Sequence, residues 1–302
     1  MKSPEYVEGI MCCLTNRLRK DMPSIFIPGN NNNRLKIAEN AVAYDWMLEK
    51  DKKYCNDLAE MIISSIDKNK KAITQKQITE ISFPGKELPF VDMVLQCGPN
   101  TAIAIAFLSK STEYARVTGI WQDPKGLISN WTGNEGTDAL MKTSSEVEEI
   151  LKHYDGQSWN AVPDKETVLL LPLIQSLETE LTAHCSEDSK SASKFVEQLL
   201  PKYSDYYQFR ITDKGILSIY YDIEEKYSKL GLPTRMLSCR RKFRARKLSN
   251  STLEMVFDNG WNLELRLIAS QKTVSRRGLR YEITLKTFPV GVSIEEYENE
   301  TQ

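Results

Sequence analysis

Apolar residues recur at helical spacing through RLKIAENAVAYDWMLEK, at Ile37, Ala41, Tyr44, Met47 and Leu48, and again at Leu58, Met61, Ile62 and Ile66. Two helices are therefore predicted between residues 34 and 70. Residues 1–20 predict a short amphipathic helix, and PSIFIPGNNNN reads as a loop whose four asparagines form a flexible turn. The pattern then changes. In VDMVLQCGPNTAIAIAFLSKS, residues 91–111, two apolar runs flank Gly98-Pro99-Asn100, the signature of a hairpin. Asp92 interrupts the first run and Lys110 ends the second, so each arm bears one charge; AIAIA is most simply a buried strand.

Farther along, WQDPKGLISNWTGNEG, bracketed by Trp121 and Trp131, predicts a loop-rich stretch. Helical period returns over residues 144–154 and 167–183, the second helix opened by Pro163-Asp164. SEDSKSASK reads as a polar linker, and residues 195–200 as a short helix stopped by Pro201. From Tyr206 the segments YYQFRI, GILSIYYDI, TLEMVFD, WNLELRLIA and LRYEITLKTF are short and alternating, which predicts an antiparallel, β-rich C-terminal part. Asn259-Gly260 predicts a tight turn with Trp261 packed beneath it. The acidic tail EEYENETQ is expected to fray. These changes of texture predict two parts, 1–190 and 191–302.

The chain has 302 residues, 41% hydrophobic and 27% charged, enough for a sizeable core. No apolar run reaches the length of a membrane span, and the N-terminus is too acidic and interrupted for a signal peptide, so a cytoplasmic protein is expected. The sequons at Asn130, Asn250 and Asn299 are then chance matches. Six cysteines and two histidines stand at no zinc spacing, and there is no Gly-rich phosphate loop, GxSxG elbow or Cys/His nucleophile pair. Any chemistry must come from carboxylates, lysine and a metal.

The net charge of -1 conceals an asymmetry. Between Thr234 and Arg280 twelve basic residues face only Glu254, Asp258 and Glu264, a local excess of nine. Nine of the twelve are arginine, the side chain suited to phosphates and guanine edges. A positive lobe on an acidic body is the footprint of a polyanion binder, with a solvated charged face as the plainer reading.

In order and spacing, SWNAVPDKETVLLLPLIQSLETEL, LPKYSDYYQFRI, GLPTRM and above all FDNGWNLELRL resemble the HaeIII-type type II restriction endonucleases. The resemblance runs from about Asn33 to Phe288 and is strongest over the C-terminal half. It implies an α/β PD-(D/E)XK nuclease fold, a mixed sheet flanked by helices, with a β-rich DNA-recognition part. It makes 1–190 the helical and nuclease-like catalytic part and 191–302 the basic DNA-recognition part. Such a site has one acid at a strand end, then a second acid two residues before a lysine on the neighbouring strand, and often a glutamate on an upstream helix. Asp92 matches the first acid and Glu39 the helix glutamate, and both would hold Mg²⁺. Hard oxygen ligands suit that ion, which activates water and polarises the scissile phosphate.

The second strand leaves two placements open. Without a gap, the lysine position falls on Ala106 and the site is dead. With a shift of about four residues Lys110 takes that role, Leu108 stands where an acid is usual, and Glu113 substitutes as ligand.

The resemblance further implies double-stranded DNA as partner, a GGCC-type site, a homodimer on palindromic DNA and a cognate methyltransferase. Arg266, in LELRL, matches a position where the family keeps arginine; it either contacts a base or pairs with Asp258 or Glu264. Arg235, Arg240, Arg241, Lys242, Lys272, Arg276 and Arg277 are expected on phosphates. The competing class is a nuclease-fold DNA binder that no longer cuts, or a subunit of a defence complex.

Overall fold

The computed structural model describes the chain apart from residues 1–2, 86–90, 100, 109–115, 119–123, 134–135, 188–189, 198–203, 213, 222–232, 245–246, 270, 276–277, 288–292 and 299–302. It is mixed α/β and forms two compact units from interleaved stretches. The first comprises Met1–Ala115, Leu200–Gly231 and Gly291–Gln302; the second comprises Arg116–Leu199 and Leu232–Val290. The division expected at residue 190 falls inside the second unit.

The first unit contains helices α1 (Ser3–Asp21), α2 (Asn31–Asp45) and α3 (Glu49–Lys70). Its strands are β1 (Glu80–Ser82), β2 (Met93–Gln96), β3 (Ala102–Leu108), β5 (Ser204–Ile211), β6 (Gly215–Tyr221) and β11 (Ser293–Glu298), hydrogen-bonded in the order β1-β2-β3-β5-β6-β11. β3 and β5 run parallel, and the other neighbours antiparallel. Alternation sends Ile103, Ile105 and Phe107 of β3 to one face with Tyr207 and Phe209 of β5. That face closes a core with Ile10, Leu14 and Leu18 of α1 and Leu58, Ile62 and Ile66 of α3. Ala104, Ala106 and Leu108 point to the opposite face and are also buried.

The asparagine run is a helix start rather than a flexible turn. The side chain of Asn30 caps α2 by accepting from the Asn33 backbone N–H, satisfying an otherwise orphaned donor. Asn33 is buried; its amide donates to Pro28 O at 3.0 Å and accepts from Phe83 N at 2.7 Å. The helix is thereby tied to the end of β1. The acidic tail is not frayed through residue 298. Its Ser293–Glu298 stretch pairs with β6, with Glu295 on Lys68 at 2.7 Å and Glu298 on Lys214 at 3.2 Å, so cations along the strand offset its acidity.

The second unit contains α4 (Pro124–Thr132), α5 (Asp138–His153), α6 (Leu171–Glu187) and α7 (Ser191–Glu197). Its antiparallel sheet runs β4 (Arg116–Thr118), β10 (Leu279–Thr287), β9 (Asn262–Ala269), β8 (Lys247–Phe257) and β7 (Met236–Arg244). One face presents Leu253, Met255, Leu263, Leu265, Tyr281 and Ile283, all buried, and α6 lies against β7 and β8. The stretch expected as a loop between the two tryptophans contains α4. Pro124 suits a first helical turn, and Leu127, Ile128 and Trp131 share one buried face. The polar linker expected at 186–194 is the end of α6 and most of α7, which buries Ala192, Phe195 and Val196. The turn expected at Asn259-Gly260 forms as Asp258–Gly260, and Trp261 directly after it is buried.

Candidate active site and nucleic-acid interface

Asp92 stands immediately before β2. Its N–H donates to Ile105 O at 2.8 Å, and its Oδ2 accepts from Phe107 N at 2.7 Å. The acid is thus fixed to β3 on both sides of Ala106. Burial of this carboxyl raises its pKa, opposed by the Phe107 N–H bond and by the positive charge of Lys36.

Asp92 and Glu39 line one cavity of about 300 Å³, with Lys36 and Leu35 of α2 and Phe83 and Val91 around them. The link from Asn33 to Phe83 explains why: it holds the first turns of α2 beside the strand end that precedes Asp92. Lys36 Nζ lies 3.5 Å from Glu39 Oε2 and 3.5 Å from Glu8 Oε1. Asp92, just before β2, therefore shares one hollow with an acid and a lysine of α2.

Lys36 was not among the expected site residues. It sits three residues before Glu39, so helical spacing puts both on one side of α2. Lys110 and Glu113 lie outside the described residues. On β3 the residue between the two contacts of Asp92 is Ala106, and its neighbour on β5 is Gln208. Gln208 is buried; its Nε2 donates to Tyr206 Oη at 3.3 Å, while its Oε1 has no hydrogen-bond partner. Burial raises the Tyr206 pKa, and the Asp92 charge adds to that.

As a donor set, Asp92 and Glu39 suit a hard divalent cation, because both residues line one cavity and carboxylate oxygens are the ligands such an ion takes. Among the described residues no group of three or more His, Cys, Asp and Glu could hold a metal. All six cysteines are free, and His184 binds Glu180 at 3.0 Å. No helix among the described residues is long and apolar enough to cross a membrane.

The basic residues of the second unit divide into two sets. Arg240 pairs with Glu254 at 3.2 Å, Arg241 with Glu178 at 3.5 Å, and Lys242 with Glu264. These three are partly neutralised within the protein. Arg266 does not pair with either expected acid, because Glu264 is held by Lys242 and Lys286 and Asp258 accepts from the backbone of Thr234 and Arg235.

Arg266 on β9 and Arg280 on β10 are on one sheet face, two residues apart in register, with Glu282 directly across from Arg266. Each has a buried Nε without a hydrogen-bond partner. The Arg235 and Lys272 side chains are exposed, and Arg276 and Arg277 lie outside the described residues. Arg280 was counted in the charge excess but not singled out as a contact.

Residues 146–289, just under half of the chain, match the HaeIII restriction endonuclease family. No curated protein and no solved structure matches the chain. The matched stretch includes β5 and β6 beside the Asp92 hairpin and most of the antiparallel sheet bearing Arg266. Site-specific DNA cleavage is the activity this family suggests.

Proposed function

We propose that this protein is a Mg²⁺-dependent, site-specific deoxyribonuclease of the PD-(D/E)XK kind, acting on double-stranded DNA as part of a restriction-modification system. The observation behind this reading is the common cavity of Asp92 and Glu39 in a chain whose later half matches the HaeIII family. Asp92 and Glu39 would hold the ion. When bound, Mg²⁺ supplies charge on the scissile phosphate and lowers the pKa of the attacking water.

The chain's own residues complete the work. Phe107 N–H and the fold around it keep the Asp92 carboxyl in place, a preorganisation that spares rearrangement during reaction. Lys36 holds a positive charge beside the two acids. Lys110 and Glu113 remain the proposed strand-end lysine and substitute ligand. In the second unit Arg266 reads a base edge, and Arg235, Lys272, Arg276 and Arg277 contact phosphates. Arg240, Arg241 and Lys242, already paired, contribute less. A GGCC-type site and a protecting methyltransferase follow from the same family likeness.

The second reading, a DNA binder that does not cut, draws on Ala106, which stands where an ungapped comparison expects the lysine. Plasmid cleavage in Mg²⁺ and in Mn²⁺ separates the two. Discrete cutting by the wild type, lost in both Asp92→Ala and Lys110→Ala, supports the nuclease. Salt-sensitive DNA retardation without cutting in either metal sinks it and leaves the binder.

A further inference from the structure

α2 presents an apolar stripe to solvent. Leu35, Val42 and Trp46 are spaced seven and four residues apart and are 61%, 56% and 86% exposed; Leu48, just beyond, is 64% exposed. Ala38 is exposed on the same stripe. Helices of globular proteins bury such a stripe, and a tryptophan left this open is costly unless something covers it. Beside it lies a hollow of about 1010 Å³, lined mainly by apolar residues, Val42, Trp46 and Met47 among them, together with Glu8, Glu39 and Asp51. A projecting Trp46 and a hollow therefore occur on one surface. A two-fold axis requires that combination, because an isologous interface must be complementary to itself.

The charges agree. Arg34 near the start of α2 and Asp45 at its end are exposed, and neither has an ion-pair partner among the described residues. Antiparallel packing of two α2 helices would bring Arg34 of each copy to the Asp45 end of the other. Parallel packing would oppose like charges.

We infer that the α2 face, Leu35–Val42–Trp46 flanked by Arg34 and Asp45, is the interface through which two copies of this chain form a symmetric dimer. Glu39 borders the same hollow as Trp46 and also lines the cavity of Asp92, so the interface adjoins the candidate active site. The surface argument does not depend on cutting, although a dimer suits the palindromic site proposed above.

The test is sedimentation velocity on the full chain at roughly 1 to 100 µM, where micromolar association is visible, with and without a palindromic duplex. The wild type should sediment as a dimer. Val42→Glu/Trp46→Lys should sediment as a monomer with an unchanged circular dichroism spectrum and Tm. Arg34→Asp and Asp45→Arg should each weaken association about tenfold, and the double exchange should restore it, which a folding defect cannot mimic. A wild type that stays monomeric throughout, or a Val42→Glu/Trp46→Lys variant that still dimerises, overturns the inference. A dimer that uses this face but never cuts upholds the interface and sinks the nuclease reading instead.

Discussion

Asp92 and Phe107 are joined by a 2.7 Å hydrogen bond from the Phe107 backbone N–H to Asp92 Oδ2, which fastens the acid to β3 rather than leaving it at a solvated strand end. An acid so held is desolvated, and its pKa is raised above the ordinary 3.8 mainly for that reason. Between that value and the raised one the folded chain binds more protons than the unfolded chain, so this group's contribution to stability falls as pH rises. Asp92→Asn keeps an acceptor for Phe107 and removes the buried charge. It should raise Tm at pH 7 by roughly 2 to 4 °C, about 1 kcal/mol in a domain-sized unit. The gain should vanish below the ordinary carboxylate pKa. Scanning calorimetry of both proteins from acid to neutral pH checks this; an equal Tm difference at every pH would deny the titration of Asp92 a part.

Addition of Ca²⁺ or Mg²⁺ should stabilise the wild type, since a ligand bound only by the folded state raises stability in proportion to RT ln(1 + [L]/Kd). Asp92→Asn and Glu39→Gln should each lose most of that gain. The readout is the Tm shift on titration with the ion, independent of any cutting. A full shift in both variants would place the ion elsewhere.

Lys36→Ala should separate two roles that the ligands combine. Its charge lies near Asp92 and 3.5 Å from Glu39, where it competes with a cation for both acids. Its loss should leave divalent-ion binding intact or tighter. Cleavage should nonetheless fall on the order of a hundredfold, as expected when a preorganised positive group is removed. Isothermal titration with Mn²⁺ beside single-turnover cleavage distinguishes the outcomes; parallel loss of both would make Lys36 a structural support only.

How much of this was visible in the sequence depends on how local each feature is. The hairpin around Gly98-Pro99 and the alternating strands from Tyr206 are set by residues adjacent in sequence, and both formed where they were read. α4 was missed because its buried face rests on three residues, Leu127, Ile128 and Trp131, within a stretch rich in turn formers. β11 was missed because Glu295 and Glu298 look solvated until Lys68 and Lys214 are brought opposite them by the fold. Asp92 was legible as a charge breaking an apolar run. Nothing local tells that residue 36 approaches residue 92, since the Asn33–Phe83 link that seats α2 spans fifty residues. Charge counting likewise could not see that Arg240, Arg241 and Lys242 meet glutamates.

That last point yields the sharpest test of the DNA-reading surface. Arg240 and Lys242 have acids 3.2 Å away or closer, so much of their charge is already neutralised inside the protein. Arg266 and Arg280, two residues apart in register on β9 and β10, each retain a buried Nε without a hydrogen-bond partner, an arrangement that costs stability unless a ligand repays it. Arg266→Ala should therefore weaken binding to the specific duplex by about 1 to 3 kcal/mol while changing nonspecific binding little, the mark of a base contact. Arg280→Ala should weaken both and flatten the dependence of log K on log salt by about one unit, the mark of a phosphate contact. Arg240→Ala should change either by no more than a few tenths of a kcal/mol, because an exposed ion pair contributes little and Glu254 keeps its hydrogen bond from Asn262. Filter binding across a salt series, with specific and scrambled duplexes in Ca²⁺, measures all three. If Arg240→Ala proved as damaging as Arg266→Ala, ion pairing within the sheet would not be what sorts its basic residues.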